Sequence, residues 1–467
     1  MTGPLRTALT SLTLRGRCLV AAGLTLLGLG ALLGERPLAQ LAVFVLALPL
    51  LSALAVARQR VRVAARRTVS PTRVPRGEDA EVRLELTNAE RRTGRLWLLT
   101  EQLPPELGPS PRFVVERLAG GDTTALRYRV HGSRRGRFRL GPLRLRLVDP
   151  FGLVQRTTSG TDDAPLLVVP RVRQLGPGGP AGGQGGGGEG ARRSIAVHGE
   201  DDVSTRAYRH GDDLRKVHWR ATARTGELMV RMEERPWRAQ AALLLDTRVR
   251  AHLLSRATAP GAAAGTAVPG PPGDPSPPPD SFEWLVEAAA SIGTHLARRG
   301  AVVHVVTEAG ELGPSDGHGG RGRGGLGPGE LLDRMAALVP SRGARLTPAA
   351  HLLARVAGDG PVVALLGAVS PEDLPELVAA RSGPASDVAV LLDVGSWAEA
   401  GRGRRALSGA ARASLTAQLE ESAALLRGAG WQVVVASAGR TVEAVWAELG
   451  HTHGAGTRAA SGLGVPA

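Results

Sequence analysis

The chain has 467 residues, enough for two or three domains and a sizeable buried core. Its single cysteine, Cys18, excludes an intramolecular disulfide framework and a cysteine-based metal cluster. The formal net charge of +15 invites an anionic partner, yet all but one of the 58 basic residues are arginine, Lys216 being the exception, and no nucleic-acid-binding motif accompanies them. Nucleic acid is therefore not an expected partner.

The first 57 residues predict a short cytoplasmic N-terminus and two transmembrane helices, at about 18–34 and 38–57. Residues 18–33 form an uncharged apolar run at the short end of what a bilayer requires, whereas 38–57 are long enough to cross about 30 Å of hydrocarbon as a helix. Gly34-Glu35-Arg36-Pro37 supplies the turn between them. A cleaved signal peptide with Arg6, Arg15 and Arg17 as its basic segment is the alternative, and the second full-length apolar run opposes it. Those three arginines precede the first run, and Arg58, Arg60, Arg62, Arg66 and Arg67 follow the second. The positive-inside rule then predicts that both flanks, and all later domains, are cytoplasmic. Neither span contains an ionisable residue, so the hairpin reads as an anchor and not as a transport path.

Residues 58–172 predict an all-β sandwich. In 81–86 Val82, Leu84 and Leu86 alternate with Glu81, Arg83 and Glu85, the two-residue period of a half-buried strand. Further short strands are expected at 95–99, 113–118, 126–130, 137–140 and 143–148, bounded by Gly, Pro or Asn. The segments RRGRFRLGP (134–142) and DPFGL (149–153) read as architecture, with glycine and proline setting turns and Phe138 and Phe151 filling core.

Residues 173–193 are glycine-rich and read as a linker. The segment 194–240 is the most information-dense of the chain. His210-Gly211-Asp212-Asp213 reads as a turn that caps a helix, on which Leu214, Val217, His218 and Ala221 recur at helical spacing, before 228–232 resume as a strand.

The run R-x-Y-x-x-G-D-D-x-R-x-V-H-W-x-A-T-A-R resembles the defining motif of the family known as domain of unknown function 58. Arg206, Tyr208, Gly211, Asp212, Asp213, Arg215, His218, Trp219, Ala221, Thr222, Ala223 and Arg224 carry the match, and the hairpin and the two β-domain segments look like those of longer members. The resemblance implies a bacterial accessory protein associated with a MoxR-type AAA+ ATPase, often accompanied by a transglutaminase-like membrane protein, and it implies no particular reaction. Three readings of the motif stand side by side. The charged groups form a structural network, or with Trp219 they make a partner-docking surface, or Asp213 and His218 form an acid–base pair. No nucleophile, metal-ligand spacing or phosphate loop accompanies that pair.

Beyond Trp237, continuous apolar runs at 241–245, 301–306, 362–366, 388–392 and 431–436 alternate with helical segments at 282–298, 330–338, 371–380 and 410–426. A doubly wound α/β domain with a parallel sheet is expected over 241–450, with Pro/Gly-rich inserts at 258–280 and 310–329 and a disordered tail at 451–467. The domain resembles the von Willebrand factor A type, whose first strand ends in an Asp-x-Ser-x-Ser motif that holds a divalent cation. Here the stretch is Asp246-Thr247-Arg248-Val249-Arg250, with arginine at both serine places. A guanidinium cannot coordinate Mg²⁺, so a degenerate, metal-free site is expected, with Asp246 paired to a neighbouring arginine. No cofactor is expected.

Together these features predict a multi-domain, membrane-anchored, non-enzymatic adaptor or scaffold that binds a protein partner, with the MoxR-type ATPase or its client as the implied partner. A hydrolase, or an anion- or polysaccharide-binding protein using the Arg/Asp/His segment, is the alternative.

Overall fold

A computed structural model of the chain describes residues 11–58, 63–90, 96–116, 118–149, 151–160, 162–176, 205–208, 217, 219–231, 240–253, 280–313, 325–358, 360–381, 387–400 and 407–449. The chain divides into two compact units, Met1–Pro170 and Arg171–Ala467.

The first unit opens with a helical hairpin, α1 (Leu14–Leu33) and α2 (Arg36–Arg58), both long and apolar enough to cross a membrane. Helix α1 starts a turn earlier than the hydropathy suggests, because the Thr13 hydroxyl caps it by accepting from Gly16 N. Its buried residues are three glycines, Gly16, Gly23 and Gly30. They recur every seven residues and so share one face. A Cβ on Gly23 would lie 2.7 Å from the Leu46 side chain, and one on Gly30 would lie 3.0 Å from Ala39 N. Glycine lets the two helices approach to backbone distance.

Ten strands follow: β1 (Val63–Ser70), β2 (Arg73–Pro75), β3 (Asp79–Asn88), β4 (Leu96–Glu101), β5 (Arg112–Glu116), β6 (Thr123–His131), β7 (Gly136–Leu140), β8 (Leu143–Val148), β9 (Gln155–Ser159) and β10 (Ala164–Val169). They form antiparallel sheets β1-β3-β6 and β5-β4-β8-β9, and a small sheet β2-β10-β7 in which β2 runs parallel to β10. The expected alternation holds in β3 and β8, where Val82, Leu84 and Leu86, and Leu143, Leu145 and Leu147, are buried. One end of β3 packs with Val69, Val130, Leu140 and Val168, and the other with Trp97, Leu99 and the β8 leucines.

A buried ion pair joins two of these sheets. Arg67 of β1 donates from Nε and Nη2 to the Glu101 carboxylate of β4 at 2.6 and 3.1 Å, and from Nη1 to the Asp162 carbonyl at 2.7 Å. Both side chains are almost fully enclosed. Burial, and then the Glu101 charge, hold the neighbouring Tyr128 phenol above its usual range.

Phe138 packs beside the core as expected, but Phe151 is 61% exposed, which corrects the expectation that it fills core. The cause is the loop's own bonding. Asp149 accepts from Phe151 N at 3.1 Å and Val154 N at 2.7 Å, and the next residues, Leu153 and Val154, take the buried places against the hairpin.

The second unit contains β11 (Thr205–Ala207), helix α3 (Trp219–Thr225) and β12 (Met229–Arg231), then a six-stranded sheet. Its strands are β13 (Gln240–Leu245), β14 (Val302–Thr307), β15 (Gly310–Glu311), β16 (Val362–Leu366), β17 (Val388–Leu392) and β18 (Gln432–Ala436). The order is β15-β14-β13-β16-β17-β18, all parallel except the edge strand β15. The helices are α4 (Ser281–Arg298), α5 (Pro328–Ala337), α6 (Thr347–Val356), α7 (Leu374–Ala379), α8 (Val394–Ala400), α9 (Gly409–Gly428) and a last one over 442–449. One core cluster combines the sheet with α4, α5 and 442–449, and another combines it with α6, α7 and α9. Burial on both faces is why the strands are continuously apolar.

Strand β15, helices α6 and α8 and the helix over 442–449 were not expected from sequence. Helix α6 begins with Pro348 in its first turn, where proline starts a helix instead of breaking it. The first residues of the expected linker are also tied down: Arg173 pairs with Glu287 at 2.7 Å and donates its backbone N–H to Ser291 Oγ, while Trp446 Nε1 donates to the Gly176 carbonyl.

Replacing Arg67 by Ala strands the buried Glu101 carboxylate and is expected to destabilise the protein by about 3–5 kcal/mol. A double Arg67→Met/Glu101→Leu variant should lose much less. Chemical denaturation of the full chain in detergent checks the difference, and equal losses would show that the pair does not hold the sheets together.

Candidate functional site

Two places concentrate functional side chains in the second unit: the motif segment and the carboxyl edge of the parallel sheet.

In the motif segment, Arg206 lies on β11, whose backbone pairs with β12 opposite Val230. Tyr208 is half-buried and donates its N–H to the Leu228 carbonyl at 2.7 Å. Val217 is not helical, contrary to the expected spacing. It forms a β-bridge with Val230, and both are buried. Helix α3 therefore starts only at Trp219, because a buried valine pair on the strand side draws the chain into extended form. Thr222 Oγ1 accepts from Met229 N at 2.9 Å and fastens α3 to β12. Trp219 is 70% exposed, none of the α3 residues is buried, and Arg220 and Arg224 face solvent with it. Gly211, Asp212, Asp213, Arg215 and His218 lie outside the described residues, and so does any pairing of Asp213 with His218.

At the sheet, the chain leaves β13 for β14 on one side and returns to β16 on the other, so the crossover direction changes beside β13. In open α/β sheets ligands bind at such a point, outside the carboxyl ends of the strands. Asp246, Thr247 and Arg248 occupy it and are all buried. Arg248 donates from Nε and Nη2 to the two oxygens of Asp246 at 2.8 and 2.9 Å, and from Nη1 to Asp373 Oδ2 at 2.8 Å. Thr247 donates its hydroxyl and its N–H to Glu308, at 2.6 and 3.1 Å, and the Ser341 hydroxyl donates to the same carboxylate. Arg250, with its side chain 56% exposed, stands 3.7 Å from Asp373. Burial alone would lower the Arg248 pKa, but the hydrogen bonds and charge of Asp246, then of Asp373, outweigh it and hold the guanidinium charged.

A divalent cation, which the von Willebrand A-like resemblance implies, does not fit these residues. Both oxygens of Asp246 are engaged by a group that carries a positive charge and offers donors only, and the hydroxyls of Thr247 and Ser341 are committed to Glu308. The expected pairing of Asp246 with an arginine is present, and the partner is Arg248.

His252 closes the back of this edge. Its Nε2 donates to the Asp246 carbonyl at 2.7 Å, which leaves Nδ1 to accept from Ser281 Oγ at 3.1 Å. Burial lowers its pKa despite the nearby Asp246. Sequence reading passed over His252, Glu308, Ser341 and Asp373, since each comes from a different loop and no local motif links them.

A cavity lies one strand further along, lined by Gly367, Val369, Leu392, Asp393 and Gln418 among others. It encloses about 10 Å³, room for roughly one water. Asp393 beside it is held by both terminal nitrogens of Arg412, at 2.9 and 3.0 Å.

A family model described as Protein of unknown function DUF58 matches residues 204–265, which supports the family resemblance over that segment and brings no catalytic activity with it. No curated protein matches the chain. Among solved structures, part of the chain is similar to the CARDB domain of the PF1109 protein from Pyrococcus furiosus, at 13% identity over 24% of this chain and 96% of that one, with a TM-score of 0.19. Another similar structure is the Pseudomonas fluorescens alkylpurine DNA glycosylase AlkC, at 16% identity over 29% of this chain and a TM-score of 0.17. A β-glucosidase from Listeria innocua follows, at 12% identity over 23% of this chain and a TM-score of 0.16. The chain spans 40% of the glycosylase and 16% of the glucosidase. Likenesses at this level assign neither fold nor activity.

Two outcomes are expected at this edge. Arg248→Ala leaves Asp246 buried without its cation and should destabilise the protein by about 3–5 kcal/mol, measured by denaturant unfolding. Because the folded state favours neutral His252, the unfolded state takes up the proton first, and stability should fall as pH drops below about 6.5, the ordinary histidine value. His252→Gln, which keeps a donor for the Asp246 carbonyl, should flatten that slope, and melting curves between pH 7 and 5 with an unchanged slope would remove His252 from the account.

Proposed function

We propose that this chain is a membrane-anchored, non-enzymatic adaptor that holds a protein partner at the cytoplasmic face of the membrane. The single observation that carries the proposal is the exposed Trp219, presented on a short helix beside Arg220 and Arg224. A tryptophan left 70% in water gains little from folding, whereas tryptophan and arginine together are the residues that dominate protein–protein binding energy. The two apolar helices near the N-terminus supply the anchor. The arginines that flank them, against one arginine beside one glutamate in the turn, favour a cytoplasmic body.

The partner we favour is a MoxR-type AAA+ ATPase or its client, as the family resemblance implies, with a transglutaminase-like membrane protein as a companion. A von Willebrand A-like role for the α/β unit is part of this reading, and there a covalently tethered guanidinium stands where such domains carry a metal. Partner binding at that edge would then be independent of divalent cations.

The full chain in detergent, immobilised and exposed to a MoxR-type AAA+ ATPase, should retain that ATPase with or without EDTA. Trp219→Ala should weaken retention at least about tenfold, equivalent to roughly 1.4 kcal/mol, with an unchanged melting temperature. Full retention by the Trp219 variant would move the docking surface elsewhere, and no association in any nucleotide state would remove the adaptor reading.

A further inference from the structure

We propose that the loop formed by Asp149 and residues 151–154 is a membrane-contact element, seating the β-stranded body on the lipid headgroup layer with the Phe151 ring in the interface on the side of Arg15. The inference rests on reading α1 and α2 as membrane spans.

The loop is built to hold its shape. Gly152 N donates to the Asp149 carbonyl at 3.0 Å, the Asp149 carboxylate takes the N–H groups of Phe151 and Val154, and Gly152 adopts a positive φ of 69°. That frame is joined to the first turn of α1. Thr13 N donates to the Leu153 carbonyl at 2.9 Å, and Thr13 Oγ1 to the Gly152 carbonyl at 2.6 Å. A Cβ on Gly16 would lie 2.2 Å from the Leu153 oxygen, so only glycine permits this seat. Leu153 and Val154 pack into an apolar cluster with α1 and α2 that includes Leu19 and Val56.

Depth follows from the helix rise. The uncharged run begins at Cys18, and Gly16 precedes it by two residues, or about 3 Å along the axis. Each headgroup layer is about 5–7 Å thick, so the 152–153 peptide lies within it. The run 18–33 spans about 24 Å, roughly 6 Å less than the hydrocarbon core, which draws this end of α1 inward, with Arg15 and Arg17 reaching back to phosphates.

Phe151 projects from that level with 61% of its surface uncovered, and Leu14 at the same end of the hairpin is 77% exposed. The Arg15 guanidinium lies close to the loop, 3.9 Å from where a Cβ on Gly152 would stand, placing a cation for lipid phosphate beside the residue that follows Phe151. Continuity with the ends of two apolar helices makes the occupant of this surface a bilayer containing anionic lipid, and not a protein.

The test uses the full chain with Cys18→Ser, in vesicles of phosphatidylcholine and phosphatidylglycerol that carry nitroxide lipids. An NBD label is placed on Phe151→Cys, on Phe44→Cys within α2, or on Thr157→Cys, an exposed position on β9. The label at 151 should be blue-shifted and quenched severalfold more by a shallow nitroxide than by a deep one. The label at 44 should respond to the deep nitroxide and the label at 157 to neither. If position 44 is quenched while 151 behaves like 157, the loop proposal is overturned and the anchor stands. If position 44 is not quenched, the membrane spans themselves are wrong and the proposal goes with them.

Discussion

Three carboxylates taken out of water among the described residues, Glu101, Asp246 and Asp387, each meet a cation, and each time it is an arginine. Arg67 answers Glu101 between two sheets, Arg248 answers Asp246 and Asp373 at the carboxyl edge, and Arg381 holds both oxygens of Asp387 at 2.8 and 2.9 Å while donating to the Gly358 and Gly360 carbonyls. Each relies on a planar fork with several donors in fixed directions, a geometry an ammonium group cannot reproduce. The chain's basicity therefore gives a poor account of its partners. Part of that charge is consumed internally, while Arg220, Arg224 and Arg250 face solvent at the two places that concentrate functional side chains.

The amino-terminal hairpin obeys a different constraint, close approach. Gly23 and Gly30 bring α1 against α2, and Gly16, seven residues earlier on the same face, admits the Leu153 carbonyl of the β-stranded body. One side-chain-free face thus serves both helix packing and the attachment of a folded domain to the anchor. The attachment uses backbone carbonyls and a threonine hydroxyl, so it is directional, and the apolar contacts of Leu153 and Val154 exclude water from it.

Much of this was legible in the sequence, for identifiable reasons. The alternation in β3 and β8 and the continuous apolar runs of β13, β16 and β17 are direct images of one-sided and two-sided burial. Strand β1 escaped notice because its burial pattern is weak, with Val69 alone fully buried and Arg67 turned inward to meet a charge. Phe151 misled because hydrophobicity says nothing about which side chain a hydrogen-bonded loop turns out. The spacing of Leu214, Val217 and Ala221 fits a helix, but the pairing partner of Val217 lies thirteen residues ahead at Val230 and no local pattern reveals it. The glycine repeat at 16, 23 and 30 is a heptad visible in the sequence, and hydropathy alone does not register it because glycine is nearly neutral on that scale.

The carboxyl edge illustrates how one residue type can change what a site is able to do. A bound metal equilibrates with its surroundings and can leave, whereas the Arg248 charge is fixed by covalent attachment and held by two carboxylates in a water-poor setting. Chelation cannot remove it, and its raised pKa keeps it charged across any physiological pH. What remains adjustable is the layer behind it, where His252 supports the Asp246 backbone while neutral and cannot gain a proton there without charging a fully enclosed ring. The Arg248 charge at this edge is therefore the same in the presence or absence of divalent ions, and His252 couples acid to the stability of the layer that supports it.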